Sequence, residues 1–339
     1  MTMTSPISTK KRPRVMSGMR PTGRLHLGHY FGVLVQWVKY CETADAYFEI
    51  ADLHAYTTGF SDPQAIRNAR NEMVLDWLAA GVDPKSSTFY LQSGIPEISE
   101  LQVLLSMITP VSWLERVPTY KGQIEALGQE IATYGFLGYP LLQVCDIAIF
   151  RGEEVPVGRD QVAHLEFGRE VVRRFNYLYG QGEQILVEPK AVLVEGAAEV
   201  EGIDGRKMSK SYDNFIELGE SEDDTAKKVR KYITDPNKIR RHDPGNPDIC
   251  PIFHLWKLIR PEHVPLVDRE CRSGALGCVQ DKTDFAEALN AHLKPIRERR
   301  AMFAADIAQV ERIINEGTRR AREVAVETIT DVKRAMKLL

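Results

Sequence analysis

The chain has 339 residues, 43% hydrophobic and 27% charged, with a formal net charge of −3. That composition can bury a core, and on a prior of roughly 100–200 residues per domain the length predicts two domains. The charge balance excludes a protein basic throughout, so a nucleic-acid partner would meet a local patch, and no apolar run is long enough to span a membrane.

Residues 1–13 are polar, carry Lys10, Lys11 and Arg12, and lack an apolar signal core, which predicts a disordered tail. A short strand over Arg14 to Ser17 leads into the turn Gly18-Met19-Arg20-Pro21-Thr22-Gly23. Phe31, Leu34, Val35 and Val38 stand at helical spacing within Gly28 to Tyr40. Ala46 to Ala51 reads as a strand ending at Asp52. Asp62-Pro63 opens a helix as N-cap and first turn, and that helix stops at Gly81. Thr88 to Gln92 is a strand and Ile98 to Ile108 a helix. Leu101 to Phe136 holds two amphipathic stretches bearing Trp and Tyr. A strand at Ile147 to Phe150 and a helix over Asp160 to Tyr177 follow. The alternation predicts an α/β fold, a parallel sheet with helices on both faces and ligands beyond the carboxyl ends of its strands. After Ser211 strand signals fade, and Glu222–Ile233, Pro251–Ile259, Asp284–Ile314 and Gly317–Leu338 read as helices. The domain change is expected near residue 216.

Two short words carry the chemistry. In His26-Leu27-Gly28-His29, Gly28 lets a flat base or ribose approach the backbone. The helix opening there offers N–H groups to an anion, and two imidazoles can donate to phosphate oxygens. In Gly205-Arg206-Lys207-Met208-Ser209-Lys210-Ser211, two ammoniums could neutralise a leaving pyrophosphate while hydroxyls and N–H groups cradle it. Each alone is as readily a turn or a solvated basic loop. Together they describe a site that holds ATP and transfers its adenylyl group. The five cysteines, Cys41, Cys145, Cys250, Cys271 and Cys278, form no CxxC pair and read as reduced thiols of a cytoplasmic protein.

The pair of words resembles that of the class I aminoacyl-tRNA synthetases. The segment Gly18 to His29 is similar to the opening ATP motif of their tryptophanyl and tyrosyl members. Ala51-Asp52-Leu53-His54-Ala55, Tyr139-Pro140-Leu141-Leu142-Gln143-Val144-Cys145-Asp146 and Val155-Pro156-Val157-Gly158-Arg159-Asp160-Gln161 followed by His164 resemble the tryptophanyl branch, as does the tail from Gly317. The resemblance implies a Rossmann-type parallel-sheet catalytic domain over 14–215, ending in the lysine loop, and a helical tRNA-contacting domain over 216–339. It implies that Arg20, Pro21, Thr22, Gly28 and His29 line the ATP site with Gly158, Arg159 and Asp160 opposite, and that Lys207, Met208, Ser209, Lys210 and Ser211 close on the phosphates. His26, His29, Lys207 and Lys210 become the catalytic set. Asp146 would accept the indole N–H, a group that only donates. Tyr139, Gln143, Gln161 and His54 complete the tryptophan pocket.

Arg159 stands where many relatives have Glu, and Gln143 where some have Met. Cys250, Cys271 and Cys278 resemble three ligands of an iron–sulfur cluster that some relatives carry, but Asp281 sits where the fourth cysteine would be. Plain thiols are the expectation, with no resident metal and Mg2+ entering with ATP. The reaction implied is activation of tryptophan and transfer to tRNA(Trp), by a homodimer paired through Leu101 to Ile124. Basic residues such as Arg297, Arg299, Arg300, Arg319 and Arg320 belong to the tRNA-contacting domain. A tyrosyl enzyme, a small-molecule adenylyltransferase and a non-catalytic RNA-binding relative are the alternatives.

Overall fold

The computed structural model describes residues 12–117, 124, 128–158, 161–193 and 200–339. Five parallel strands form one sheet: β1 (Arg14–Met19), β2 (Asp45–Ile50), β3 (Ser87–Leu91), β4 (Glu154–Val157) and β5 (Lys190–Leu193), in the order β3-β2-β1-β4-β5. Side chains alternate across the sheet because a strand has a period of two. Val15, Phe48 and Phe89 face one core with Trp37 and Trp77, while Met16, Tyr47 and Tyr90 face another with Leu101, Leu141 and Leu165. Helices therefore cover both faces, as the alternation predicts.

A nearly continuous helical stretch follows β1: α1 (Leu27–His29), a π-helical turn over Tyr30–Leu34, and α2 (Val35–Thr43). Next come α3 (Asp52–Gly59) and α4 (Pro63–Ala80). Asp62 Oδ1 caps α4 by accepting the Ala65 N–H at 2.9 Å, and Gly81 ends it at φ 102°. The helices α5 (Pro96–Ser106), α6 (Val111–Glu115), α7 (Tyr134–Ala148) and α8 (Val162–Tyr179) pack on the opposite face.

Two expectations are corrected. Ile147 to Phe150 is not a strand: it is the end of α7 and the turn after it, and β4 begins at Glu154. An uninterrupted apolar run reads the same in a buried helix as in a buried strand, and α7 is buried on most of its surface. The final helices are α12 (Cys278–Ala304) and α13 (Ile307–Ala335), so the break falls at Asp306, whose carboxylate caps α13 through the Gln309 N–H at 3.0 Å. Gly317, where the sequence reading begins the last helix, lies inside α13. A Cβ there would sit 1.9 Å from the Phe89 carbonyl oxygen, so glycine lets the helix rest on β3. The strand β5 and a helix α11 (Val264–Ser273) add to the predicted elements, beside α9 (Glu222–Arg230) and α10 (Pro251–Ile259).

The helical region is joined to the sheet region by a shared core containing Trp77, Ile216, Phe285, Leu289 and Leu293. The Leu27 N–H donates to Ile216 O, and the Leu218 N–H to Leu25 O, both at 3.0 Å. On the far edge α13 covers β3, where Thr318 Oγ1 accepts the Leu91 N–H at 2.9 Å.

Candidate active site

Parallel register lines up Gly18, Glu49 and Tyr90 in one row across β1, β2 and β3, on the face below α7. Above that row lies a cavity of about 350 Å³. His54, Tyr139, Gln143, Asp146 and Gln161 all line it, together with Arg20. Tyr139, Gln143 and Asp146 stand at i, i+4 and i+7 on α7 and so share one helix face. Asp146 is 4% exposed. Its Oδ1 accepts from Gln92 Nε2 at 2.9 Å, and His54 Nε2 lies 2.8 Å from its Oδ2. His164 bridges the wall, with Nδ1 3.1 Å from Gln143 Oε1 and Nε2 3.4 Å from the Tyr139 hydroxyl.

Sequence reasoning missed the rest of this network. Glu49 is buried at the cavity floor, and the Tyr90 hydroxyl donates to its Oε1 at 3.2 Å. Burial pushes the Glu49 carboxyl well above the usual range, and the adjoining Asp146 pushes it further. The available signal was a lone acid inside the apolar strand Ala46-Tyr47-Phe48-Glu49-Ile50, since an acid is rarely buried without a partner.

The histidine word forms a compact cap. His26 Nδ1 accepts the Gly28 N–H at 3.1 Å, and His29 Nδ1 accepts the His26 N–H at 3.3 Å. The two rings lie 3.9 Å apart between centroids. With both Nδ1 atoms accepting, each neutral imidazole carries its proton on Nε2. Burial holds His26 at about 3 and His29 at about 4, helped by the nearby Lys210 and, for His26, by His29. Gly28 has a local reason beyond ligand approach: a Cβ there would lie 2.9 Å from the His26 ring.

Lys210 reaches this cap from the second word, its Nζ donating to Thr22 O at 2.7 Å, and burial lowers its pKa. The loop is held by buried Asn214, another residue the sequence did not flag. Its amide donates to Asp204 Oδ1 at 2.6 Å and to Lys207 O at 3.2 Å, and its Oδ1 accepts the Ser209 N–H at 2.8 Å. Ser209 Oγ accepts the Ser211 N–H at 3.2 Å. Met208 is buried beneath Gly28, whereas the Lys207 and Ser211 side chains are exposed. Pro21 is buried, Thr22 is exposed, and Gly158 is exposed just past β4. Arg159 and Asp160 lie outside the described residues.

Asp281 accepts the Trp256 indole N–H at 2.9 Å, so that carboxylate already has a partner within the fold. Four of the arginines expected near tRNA are turned inward. Arg297 binds Thr225, Arg299 binds Ala79 O, Arg300 binds Asp76 and Glu72, and Arg320 binds Pro84 O and Ser87 O. Arg319 is exposed and pairs with Glu316 and Glu323 on its own helix.

A parallel sheet whose first strand runs into a two-histidine helix cap, met there by a lysine-bearing loop and flanked by an acid-floored cavity, defines the class I aminoacyl-tRNA synthetase architecture. The family model for class I tRNA synthetases of the W and Y type matches residues 8–294. The tryptophan–tRNA ligase of Thermotoga maritima is 44% identical, over 96% of this chain and 99% of its own. That of Aquifex aeolicus is 41% identical, over 96% and 100%. The structure of Campylobacter jejuni tryptophanyl-tRNA synthetase complexed with ADP and tryptophan superposes with a TM-score of 0.87 at 32% identity, covering 96% of this chain and 99% of that one. The chain belongs to the tryptophanyl-tRNA synthetases, and its activity is tryptophan–tRNA ligation.

Proposed function

We propose that the cavity takes the tryptophan side chain and that the histidine cap with the lysine loop takes the ATP phosphates. One observation carries the reading: a buried carboxylate, Asp146, lies among His54, Tyr139, Gln143 and Gln161 beside the turn that leads to the cap. Indole is a pure donor and needs such an acceptor. His54, Tyr139, Gln143 and Gln161 orient the ring, ammonium and carboxylate.

The tryptophan carboxylate is ionised at neutral pH and needs no general base. It forms a bond to the α-phosphorus as the bridge to the β-phosphate breaks and pyrophosphate leaves. His26 and His29 donate their Nε2–H groups to phosphate oxygens, Lys207 and Lys210 follow the departing charge, and Met208 anchors their loop. Arg20, Pro21, Thr22, Gly28, Ser209 and Ser211 shape the nucleotide site, with Gly158, Arg159 and Asp160 opposite. The terminal ribose hydroxyl of tRNA(Trp) then attacks the adenylate carbonyl and AMP leaves. Mg2+ enters with the nucleotide in this reading.

The region from 216 onward is the tRNA-contacting part, and the working form is a homodimer paired through Leu101 to Ile124, of which 118–123 lie outside the described residues. Among the described residues no helix is long and apolar enough to cross a membrane. The five free cysteines suit the cytoplasm. Pyrophosphate exchange with tryptophan, tyrosine and benzothienyl-alanine tests the pocket. The ring without N–H should lose roughly 10⁴-fold in kcat/KM, because it leaves the buried carboxylate one donor short and puts an apolar ring edge against it. Preference for tyrosine, or full activity of Asp146→Ala with tryptophan, would overturn the assignment.

A further inference from the structure

Three side chains, Gln92, His54 and Tyr90, converge on one pair of acids at the cavity floor. Gln92 Nε2 occupies Asp146 Oδ1, and His54 Nε2 lies against Oδ2. Tyr90 O–H occupies Glu49 Oε1, and the Gly18 backbone lies against Oε2, where a Cβ would come within 3.0 Å. Glu49 and Asp146 are both buried in the lining of the same cavity, and Asp146 adds to burial in raising the Glu49 pKa. Two carboxyl groups bond to each other only through a proton, because neither anion has one to give. Asp146 already accepts from Gln92 Nε2, while burial and then the neighbouring Asp146 raise the Glu49 carboxyl, so the proton belongs to Glu49.

We propose that Glu49 is a specificity-determining residue of the tryptophan pocket: as a neutral acid it donates its proton to Asp146 and leaves a single negative charge to receive the indole N–H. The inference rests on the assignment of Asp146 as the indole acceptor. The titratable and charged groups around Glu49 are Tyr90 from β3, Asp146 from α7, Asp52 and His54 from α3, and Arg20 across the cavity, with Tyr47 on its own strand. Asp146 and Asp52 both oppose its ionisation, as does burial.

Ligand binding removes the remaining water from the floor and so opposes a second charge there even more strongly. Binding is therefore coupled to the Glu49 proton. As pH rises through the raised Glu49 pKa of the free enzyme, the pair becomes doubly charged and the ligand must bring a proton back to bind. The coupling weakens affinity by up to tenfold per pH unit beyond that point. Glu49→Gln keeps an N–H donor toward Asp146 but cannot ionise. Its tryptophan KM should rise by roughly threefold to tenfold at neutral pH, since an amide is the weaker donor, while the alkaline loss of affinity disappears.

The probe is 3-indolepropionate, which has the ring and the carboxylate but no ammonium to titrate. Its Ki against tryptophan is measured in pyrophosphate exchange from neutral to alkaline pH, for wild type, Glu49→Gln and Asp146→Asn. The wild-type Ki should climb with pH and the Glu49→Gln Ki should stay level. A level wild-type Ki overturns the proposal even where Glu49→Gln fails to fold. Parallel climbs in wild type and Glu49→Gln overturn it too, with the Asp146 assignment intact. Unchanged tryptophan use by Asp146→Asn removes that assignment and the proposal with it.

Discussion

Lys210 is tied to the turn carbonyl of Thr22, so its ammonium stands ready beside the two imidazoles before any phosphate arrives. Such a preorganised donor acts most on charge that develops late. Lys210→Ala should slow adenylate formation by about 2–4 kcal/mol of barrier while tryptophan affinity changes little. Single-turnover rates beside equilibrium tryptophan binding check this, and weakened affinity at an unchanged rate would contradict it. The histidines make a second claim. Both are held neutral well below their ordinary 6.5, at about 3 for His26 and about 4 for His29. Protonation therefore favours the unfolded chain. Stability is complete above about pH 6.5 and falls toward pH 3, by at most ~1.4 kcal/mol per pH unit for each ring. His26→Asn keeps an acceptor at the cap and removes one titration, so its urea midpoint should drop less between pH 7 and pH 5 than that of wild type.

Among the elements, α13 shows how a glycine can reverse its apparent meaning. Gly317 removes a side chain where the helix crosses β3, and Thr318 then supplies a hydroxyl to the edge-strand Leu91 N–H. The pair docks the end of the chain onto the sheet and blocks an edge open to foreign strands. Gly317→Ala would force the helix off the Phe89 backbone and should cost about 3 kcal/mol. Gly32→Ala meets nothing within 4 Å of the added carbon and is the control. Thermal melts of the two variants should separate by several degrees, and equal melting temperatures would show that α13 shifts freely.

On the scale of the molecule, one ionic knot joins the cap to the helical region. Asp76 Oδ2 accepts the Leu25 N–H at 2.6 Å, just before His26, while Arg300 from α12 binds Asp76 Oδ1 at 2.6 Å and Glu72 at 2.5 Å. The histidine cap thus takes its position partly from a helix more than two hundred residues away in sequence. A second whole-molecule feature is the apolar surface of the α5–α6 region, with Val103 56%, Met107 72% and Val111 58% exposed. Val103 is in α5, Met107 caps its end, and Val111 opens the next helix. A two-fold pairing would cover this patch. Met107→Glu should lower the dimer fraction in sedimentation at micromolar concentration, with the monomer's secondary structure unchanged. An unaltered dimer would place the interface elsewhere.

Local rules reach a definite distance in this protein. The cap at Asp62 and the stop at Gly81 are written in neighbouring residues, because an N-cap carboxylate and a left-handed glycine act within one turn. The strands β1, β2 and β3 and the two reactive words were legible for the same reason: each depends on spacing along one segment. Tyr139, Gln143 and Asp146 were reached only through the family resemblance, and the helix that puts them on one face was not read from the sequence. The end of α7 was not legible, because a buried apolar run has no period of its own. Nor were β5, the interior place of Gly317, the Asn214 strut and the inward turn of Arg297, Arg299, Arg300 and Arg320. Those depend on which segment the fold brings opposite. Glu49 marks the boundary most clearly. The sequence by itself determined that an acid sits inside an apolar strand. Only parallel register beside Gly18 and Tyr90, with α7 laid above, decided that it meets Asp146. Strand pairing and helix packing are long-range, and no local periodicity encodes their partners.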